Sequence, residues 1–219
     1  MKDAYKKMRK GDEHLISLIY RPITEPIAKL LFKTSITPNQ ITTLGIIVAL
    51  ISGIFFSFGE YKYLLIGAIL SQVTLILDLL DGQIARYKNI RTVFGRWYDQ
   101  LANKIMKYLM LLGATIGAYK ISNNPLILII GAIAIFNIIT ISFISNIRLF
   151  YDKFRGYHEL PKPKKFFIPF GMLSTTLITI AALFNKIDWL LWFFAVVGTL
   201  GWIKQIYSHY KLGNIKEKL

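Results

Sequence analysis

The chain has 219 residues, 54% of them hydrophobic and 18% charged, with no cysteine and a formal net charge of +15. Its mean hydropathy of +0.46 is far above that of a soluble domain and points to a membrane protein, while the missing cysteines exclude disulfides, thiolate metal sites and a cysteine nucleophile. The positive charge does not imply nucleic acid, because the basic residues lie in patches between long apolar runs instead of on one soluble face.

The chain starts with the basic stretch MKDAYKKMRKGDEH. No short apolar run with a small-residue cleavage site follows it directly, so no removable signal peptide is expected. Residues 15–33 mix Leu and Ile with Arg21, Glu25, Lys29 and Lys33 and carry Pro22 and Pro26, which reads as an interfacial amphipathic helix. Thr37 and Pro38 then fit an N-cap followed by a first-turn proline.

From there six windows hold the ~20 mostly apolar residues that crossing a bilayer requires: 38–58, 63–82, 98–119, 125–147, 166–185 and 188–208. The expected fold is therefore an all-α integral membrane protein of six transmembrane helices preceded by the interfacial helix. Residues 1–36 form a cytoplasmic N-terminus, 37–210 the membrane domain and 211–219 a cytoplasmic tail. Lys and Arg number eight before the first window, one at Lys62, four from Arg86 to Arg96, one at Lys120, six from Arg148 to Lys165, one at Lys186 and four from Lys204 onward. That alternation places both termini and the 83–97 and 148–165 connections on the cytoplasmic side of a multi-pass protein in the cell membrane. Lys88, Arg91 and Arg96 read as orientation charges in that scheme, and the tryptophans near window ends as an interfacial belt.

Asp78, Asp81 and Asp99 sit at the edges of apolar segments, where a carboxylate is costly unless it faces a polar cavity, pairs with a cation or binds metal. Asp78 and Asp81 share a helix face with the small Gly82 and Ala85 extending it, and Asp99 and Asn103 share a face on the next helix. An oxygen-only donor set of Asp78, Asp81, Asp99 and Asn103 suits a hard divalent cation such as Mg²⁺, Mn²⁺ or Ca²⁺. Lys107, one turn beyond Asn103, is placed to line the same cavity, as a further candidate contact for an acceptor phosphate, or to pair with an acid. Arg148 and Lys204 are candidate contacts for the phosphate of an anionic acceptor, with snorkelling to the membrane surface as the competing explanation.

The run Asp78-x2-Asp81-Gly82-x2-Ala85-Arg86-x8-Gly95-x3-Asp99-x3-Asn103 resembles the signature of the CDP-alcohol phosphotransferases at every fixed position except the last, where that family has a fourth Asp. The resemblance implies transfer of a phospho-alcohol group from a CDP-linked alcohol donor to an acceptor hydroxyl, with release of CMP, by a homodimer working on membrane lipids. It implies two divalent ions, Mg²⁺ or Mn²⁺, held by Asp78, Asp81, Asp99 and the residue at 103, the last being the general-base position. It also implies nucleotide contacts from Asp78, Asp81, Gly82, Ala85, Arg86 and Gly95, and from Asn39 in a Pro-Asn element. The N-terminal segment from Ser17 to Thr42 is most similar to members that use inositol phosphates, which makes an inositol phosphate one candidate acceptor and leaves serine, glycerol phosphate, choline and ethanolamine open.

The departure at Asn103 has a chemical consequence. A carboxamide can offer an oxygen to a metal but cannot take a proton at neutral pH, so it cannot act as general base. Either the residue marks a substituted, weakened form, or the chain uses another base or none. The competing function is a non-catalytic membrane protein or transporter that binds divalent cations or lipid headgroups at these acids. A transporter would place such acids at mid-membrane on broken helices from two repeats, and the sequence has neither.

Overall fold

The computed structural model describes residues 15–154 and 170–213, with side chains for 15–144, 173–208 and 210. Among them are seven helices: α1 (Leu15–Phe32), α2 (Pro38–Phe58), α3 (Tyr61–Tyr87), α4 (Val93–Ser122), α5 (Leu126–Phe154), α6 (Phe170–Leu183) and α7 (Ile187–Gly213).

Each of the six apolar windows is found as a helix, α2 to α7 in order. The start of the fifth window, 166–169, lies outside the described residues. Four segments are long and apolar enough to cross a membrane: Pro38–Phe58, Tyr61–Tyr87, Leu126–Ile144 and Ile187–Ser208. The first half of α4 carries Arg96, Asp99, Lys104 and Lys107, which keeps it outside that group. The apolar part of α6 covers only Leu173–Leu183.

Local chemistry sets the helix ends. Thr37 caps α2 from an extended backbone: its side chain accepts from the Gln40 N–H, and the Gln40 side chain accepts from the Thr37 N–H at 2.8 Å, a capping box with Pro38 in the first turn. The far end of α2 stops at Gly59, whose φ of 81° a side chain would resist. At the end of α3, Asn89 takes a φ of 57° and the Ile90 N–H returns to the Ala85 carbonyl at 3.2 Å, a Schellman-type stop. Thr92 then starts α4 by accepting from the Gly95 N–H at 2.9 Å.

α1 runs unbroken through Pro22 and Pro26. Tertiary bonds to α3 hold it: Tyr20 Oη donates to Gln72 Oε1, and Gln83 Nε2 donates to Thr24 Oγ1 at 2.9 Å. Its outer side exposes Leu18, Ile19, Ile23 and Leu30.

Among the described residues, α2 and α4 approach each other closely. A Cβ on Gly113 would lie 1.9 Å from the Gly53 carbonyl oxygen, and one on Gly117 would lie 2.1 Å from that of Phe56. Backbone therefore meets backbone along this seam, the small-residue packing that membrane helices use in place of a hydrophobic drive. α2 also packs along α3, while α3 and α4 touch little directly, so the two motif-bearing helices are joined mainly through α2. On the other side α4 meets α5, α5 pairs with α7, and α6 leans on α3.

Candidate functional site

Three helix ends converge at one end of the α2–α3–α4 group. The first turn of α2, the last turns of α3 and the first turn of α4, with the connection between the latter two, line a cavity of about 440 Å³. Asp81, Gly82, Ala85 and Arg86 come from α3, Gly95, Arg96 and Asp99 from α4, and Thr37, Pro38, Asn39 and Thr42 from the start of α2. Ile90, Arg91 and Thr92 close the loop side.

Asp81 and Asp99 of the lining, with Asp78, which is not part of the lining, bring one carboxylate oxygen each to within 4.8 Å of one another. Asp81 is buried and the other two are partly buried. At that separation, each pair of charges repels by roughly 3–4 kcal/mol at an effective dielectric near 20. The group therefore calls for a cation, and its donors fit a hard divalent ion: all are oxygens, they come from two helices, and space remains for water and a phosphate ligand. Asn103 answers part of the repulsion without charge. Its Nδ2 donates to Asp78 Oδ1 at 2.6 Å and to Asp99 Oδ1 at 3.0 Å, tying α3 to α4. Lys107 lies within electrostatic range of both Asp78 and Asp99.

α2 contributes the hydroxyls that orient this cluster. Thr42 Oγ1 donates to Asp81 Oδ2 at 2.5 Å, and Thr43 Oγ1 meets Tyr98 Oη, next to Asp99, at 2.8 Å. Adjacent threonines thus hold one acid-bearing helix each.

The glycines of the motif act through space. A Cβ on Gly95 would come within 2.9 Å of Thr92 Oγ1 and 3.2 Å of Asn39 Oδ1, breaking the cap of α4 and displacing Asn39. A Cβ on Gly82 would press to 3.3 Å on the Arg86 guanidinium.

The structure brings together Asp78, Asp81, Asp99 and Asn103 as one cluster, and Asn39, Gly82, Ala85, Arg86 and Gly95 around one cavity. The proposed acceptor contacts are not joined to it in the same way. Lys107 is partly buried beneath the acids and Lys204 is exposed on α7, and neither is part of the cavity lining. The side chain of Arg148 lies outside the described residues. Sequence reasoning missed Thr37, Thr42, Ile90, Arg91, Thr92 and Arg96 as lining residues. Thr42 stands one helical turn after Asn39, which was a usable signal. Arg91 and Arg96 read as topology charges, and only the loop's folding back onto the cavity distinguishes them.

Residues 35–203 match the CDP-alcohol phosphatidyltransferase family. Among curated proteins, the phosphatidylinositol phosphate synthase of Corynebacterium glutamicum is 32% identical over 83 residues, which is 38% of this chain and 37% of that protein. The archaetidylinositol phosphate synthase of Pyrococcus horikoshii is 33% identical over 93 residues, 42% and 48% of the two chains. The bifunctional IPC transferase and DIPP synthase of Aquifex aeolicus is 31% identical over 101 residues, 46% and 22% of the two. This chain thus spans less than half the length of each of these relatives.

The fold is similar to the phosphatidylinositol phosphate synthase of Mycobacterium tuberculosis. The crystal structure of that protein with CDP-DAG bound superposes with a TM-score of 0.67 at 21% identity, covering 85% of this chain and 92% of that one. Its complex with manganese and citrate gives 0.69 at 22% identity, covering 90% and 94%.

Proposed function

The chain belongs to the CDP-alcohol phosphatidyltransferase family, and from that premise we propose that it transfers a phospho-alcohol group from a CDP-linked donor to an acceptor hydroxyl, releasing CMP. The observation that carries this reading is the cluster of Asp78, Asp81 and Asp99 within 4.8 Å, two of whose acids, Asp81 and Asp99, line a cavity with Gly82, Ala85, Arg86 and Gly95. In support, a structural relative binds CDP-DAG and manganese.

Asp78, Asp81 and Asp99, with the carbonyl oxygen of Asn103 after a turn of its amide, would hold one or two divalent ions. A bound Mg²⁺ or Mn²⁺ would polarise the phosphoryl oxygens under attack and lower the cost of charge on the departing CMP. The protein's own groups supply the rest. Gly82, Ala85 and Gly95 leave room for the nucleotide, with Asn39 beside them. Arg86, Arg91 and Arg96 give the cavity positive charge where phosphate would lie, and arginine suits phosphate by its fork of donors. Thr42 fixes the orientation of the Asp81 carboxylate. Asn103 positions Asp78 and Asp99 but takes no proton, so the acceptor hydroxyl must lose its proton to another group or late in the transfer.

An inositol phosphate as acceptor is supported by the names of the curated relatives, with Lys107, Arg148 and Lys204 as candidate contacts. The membrane reading includes six crossings. α4, at 30 residues, is ~45 Å long by a rise of 1.5 Å per residue, enough to span even with a polar first half, and α6 would make the fifth. α1, with apolar residues on its outer side, would lie in the interface. The alternation of Lys and Arg supports a cytoplasmic cavity and cytoplasmic termini in the cell membrane, and the family resemblance supports a homodimer.

The test is CMP release by the purified protein in detergent or liposomes with Mg²⁺ or Mn²⁺, from CDP-diacylglycerol and CDP-inositol, against a panel of hydroxyl acceptors including inositol phosphates. Metal-dependent CMP release that needs an acceptor is expected, and a chelator should abolish it. No CMP from any donor, even from the Asn103→Asp variant, would instead favour a non-catalytic cation-binding membrane protein.

A further inference from the structure

Lys88 falls outside the motif, and its position between two spans gives it the look of an orientation charge. The structure uses it otherwise. Its Nζ donates to the Thr34 carbonyl at 2.7 Å and to the Ile36 carbonyl at 2.8 Å, on the linker between α1 and α2. Those two carbonyls belong to residues that neither helix satisfies, and the ammonium at the end of α3 takes both. The next residues of the linker and of α2, Thr37, Pro38 and Asn39, form one wall of the cavity. Asp81, Gly82, Ala85 and Arg86, which also line the cavity, lie in the last turns of α3, the helix that ends next to Lys88.

An apolar contact reinforces this clamp. Ala28 of α1, Ile41 of α2 and Leu80 and Ile84 of α3 form a buried cluster, with Ile36 of the linker and Tyr87 packed on it. Leu80 immediately precedes Asp81, so the residues that carry the acid and those that carry the linker are anchored in one place. Within this arrangement the linker has no helix of its own: the Ile36 N–H donates to Thr34 Oγ1 at 3.3 Å, and the Lys88 bonds tie the Thr34 and Ile36 carbonyls, just ahead of the Thr37 cap, to the end of α3.

We propose that Lys88 is a positioning residue for nucleotide binding: by holding the Thr34 and Ile36 carbonyls, it sets the Thr37–Asn39 wall at the distance from Gly82, Ala85 and Gly95 that the cytidine end of the donor requires. The proposal rests on the reading of the cavity as a CDP-alcohol site. It assigns Lys88 no contact with the substrate, and it separates Lys88 from Arg86, Arg91 and Arg96, whose charges line the cavity itself.

The experiment combines two measurements on the full-length protein in detergent with Mn²⁺: hydrogen exchange of the peptide spanning residues 33–40, and binding of CMP by calorimetry. Lys88→Met keeps the aliphatic stem and removes both bonds, and Lys88→Arg keeps charge and donors. In Lys88→Met, loss of two charge-assisted bonds should speed exchange in 33–40 and raise the CMP dissociation constant by roughly tenfold, and Lys88→Arg should restore most of both. In turnover the Met variant should show a raised donor KM, with kcat and acceptor KM within about twofold of wild type. If Lys88→Met does not fold, Lys88→Gln, which keeps a neutral donor, should show the same changes to a smaller degree.

Faster exchange with unchanged CMP affinity would overturn the proposal, since the clamp would then be structural only. Weaker CMP binding with unchanged exchange in 33–40 would also overturn it, since Lys88 would then act through its field alone. A wild-type protein that binds no CMP would sink the underlying reading of the site, and the role of Lys88 with it, an outcome distinct from the other two.

Discussion

Among the described residues, two asparagines tie helices together, Asn103 between α3 and α4 and Asn137 between α5 and α7, and their surroundings differ in charge. Asn137 is buried, and all its partners are neutral. Its Nδ2 donates to the carbonyls of Phe194 at 3.1 Å and Ala195 at 2.8 Å and to Thr199 Oγ1 at 2.9 Å, and its Oδ1 accepts from Trp202 Nε1 at 2.9 Å. Asn103 is partly buried, and both groups it donates to are carboxylates. Asn137 thus closes a network that leaves nothing for a ligand. Asn103 joins two acids that, with Asp81, form a cluster of three carboxylates, with Lys107 in electrostatic range of two of them. The same side chain ties neutral groups at one place and carboxylates of the proposed site at the other, and the charge and burial of the surroundings distinguish the two.

The largest effect should come from changing the tie between carboxylates. Asn103→Asp removes the two donated bonds and adds a fourth carboxylate that can accept a proton. Without divalent metal the variant should melt at a lower temperature than the wild type, because four carboxylates then repel one another. The rise in Tm on adding Mn²⁺ should be larger than for the wild type. If the family's base role is restored, turnover should increase by roughly 10²–10⁴-fold, the usual contribution of general-base catalysis. An unchanged rate in a working assay would show that position 103 is a tie and nothing more.

A smaller effect is expected one step back from the acids. Thr42→Val keeps the shape of the side chain but removes the donor to Asp81. The Mn²⁺ concentration for half-maximal activity should rise about 10–100-fold, the usual cost of losing an outer hydrogen bond to a metal ligand. Because the hydroxyl orients a charged group without filling space, Tm in chelator should barely change. A large fall in Tm would mean that Thr42 serves the fold, as Asn137 does, and not the site.

The sequence was most legible where chemistry and local structure coincide. The acids, the small residues beside them and the Thr37–Pro38 start of α2 are each tied to a period of one helical turn, so their shared face could be predicted. The six apolar windows were legible for the same reason, since each apolar run marks a helix. What could not be read depends on contacts distant in sequence. Nothing local to Thr42 says that Asp81, 39 positions away, is its partner. Lys88 reads as a topology charge until the fold returns the 34–36 carbonyls to it. The continuity of α1 through Pro22 and Pro26 likewise needs the Tyr20 and Thr24 bonds to α3. Asn137 gave no signal, because one amide in an apolar run fits a satisfied tie or a ligand equally well, and its partners lie 57 to 65 positions away.

The smallest effect on activity should come from Asn137, and it completes the comparison. Asn137→Ala removes the Nδ2 bonds to α7 and leaves the Trp202 N–H without its acceptor. Gly198, whose Cβ would meet that of Asn137 at 2.7 Å, shows how closely α7 is seated on this point. Helix-to-helix hydrogen bonds inside membranes are worth about 0.6 kcal/mol each on average, so losing this group together should cost roughly 2 kcal/mol. That loss should appear as a lower Tm in detergent, with or without Mn²⁺, and with kcat per folded molecule unchanged. A metal-dependent Tm change, or a fall in kcat with folding intact, would show that the α5–α7 pair helps shape the site and that the two asparagines belong to one system.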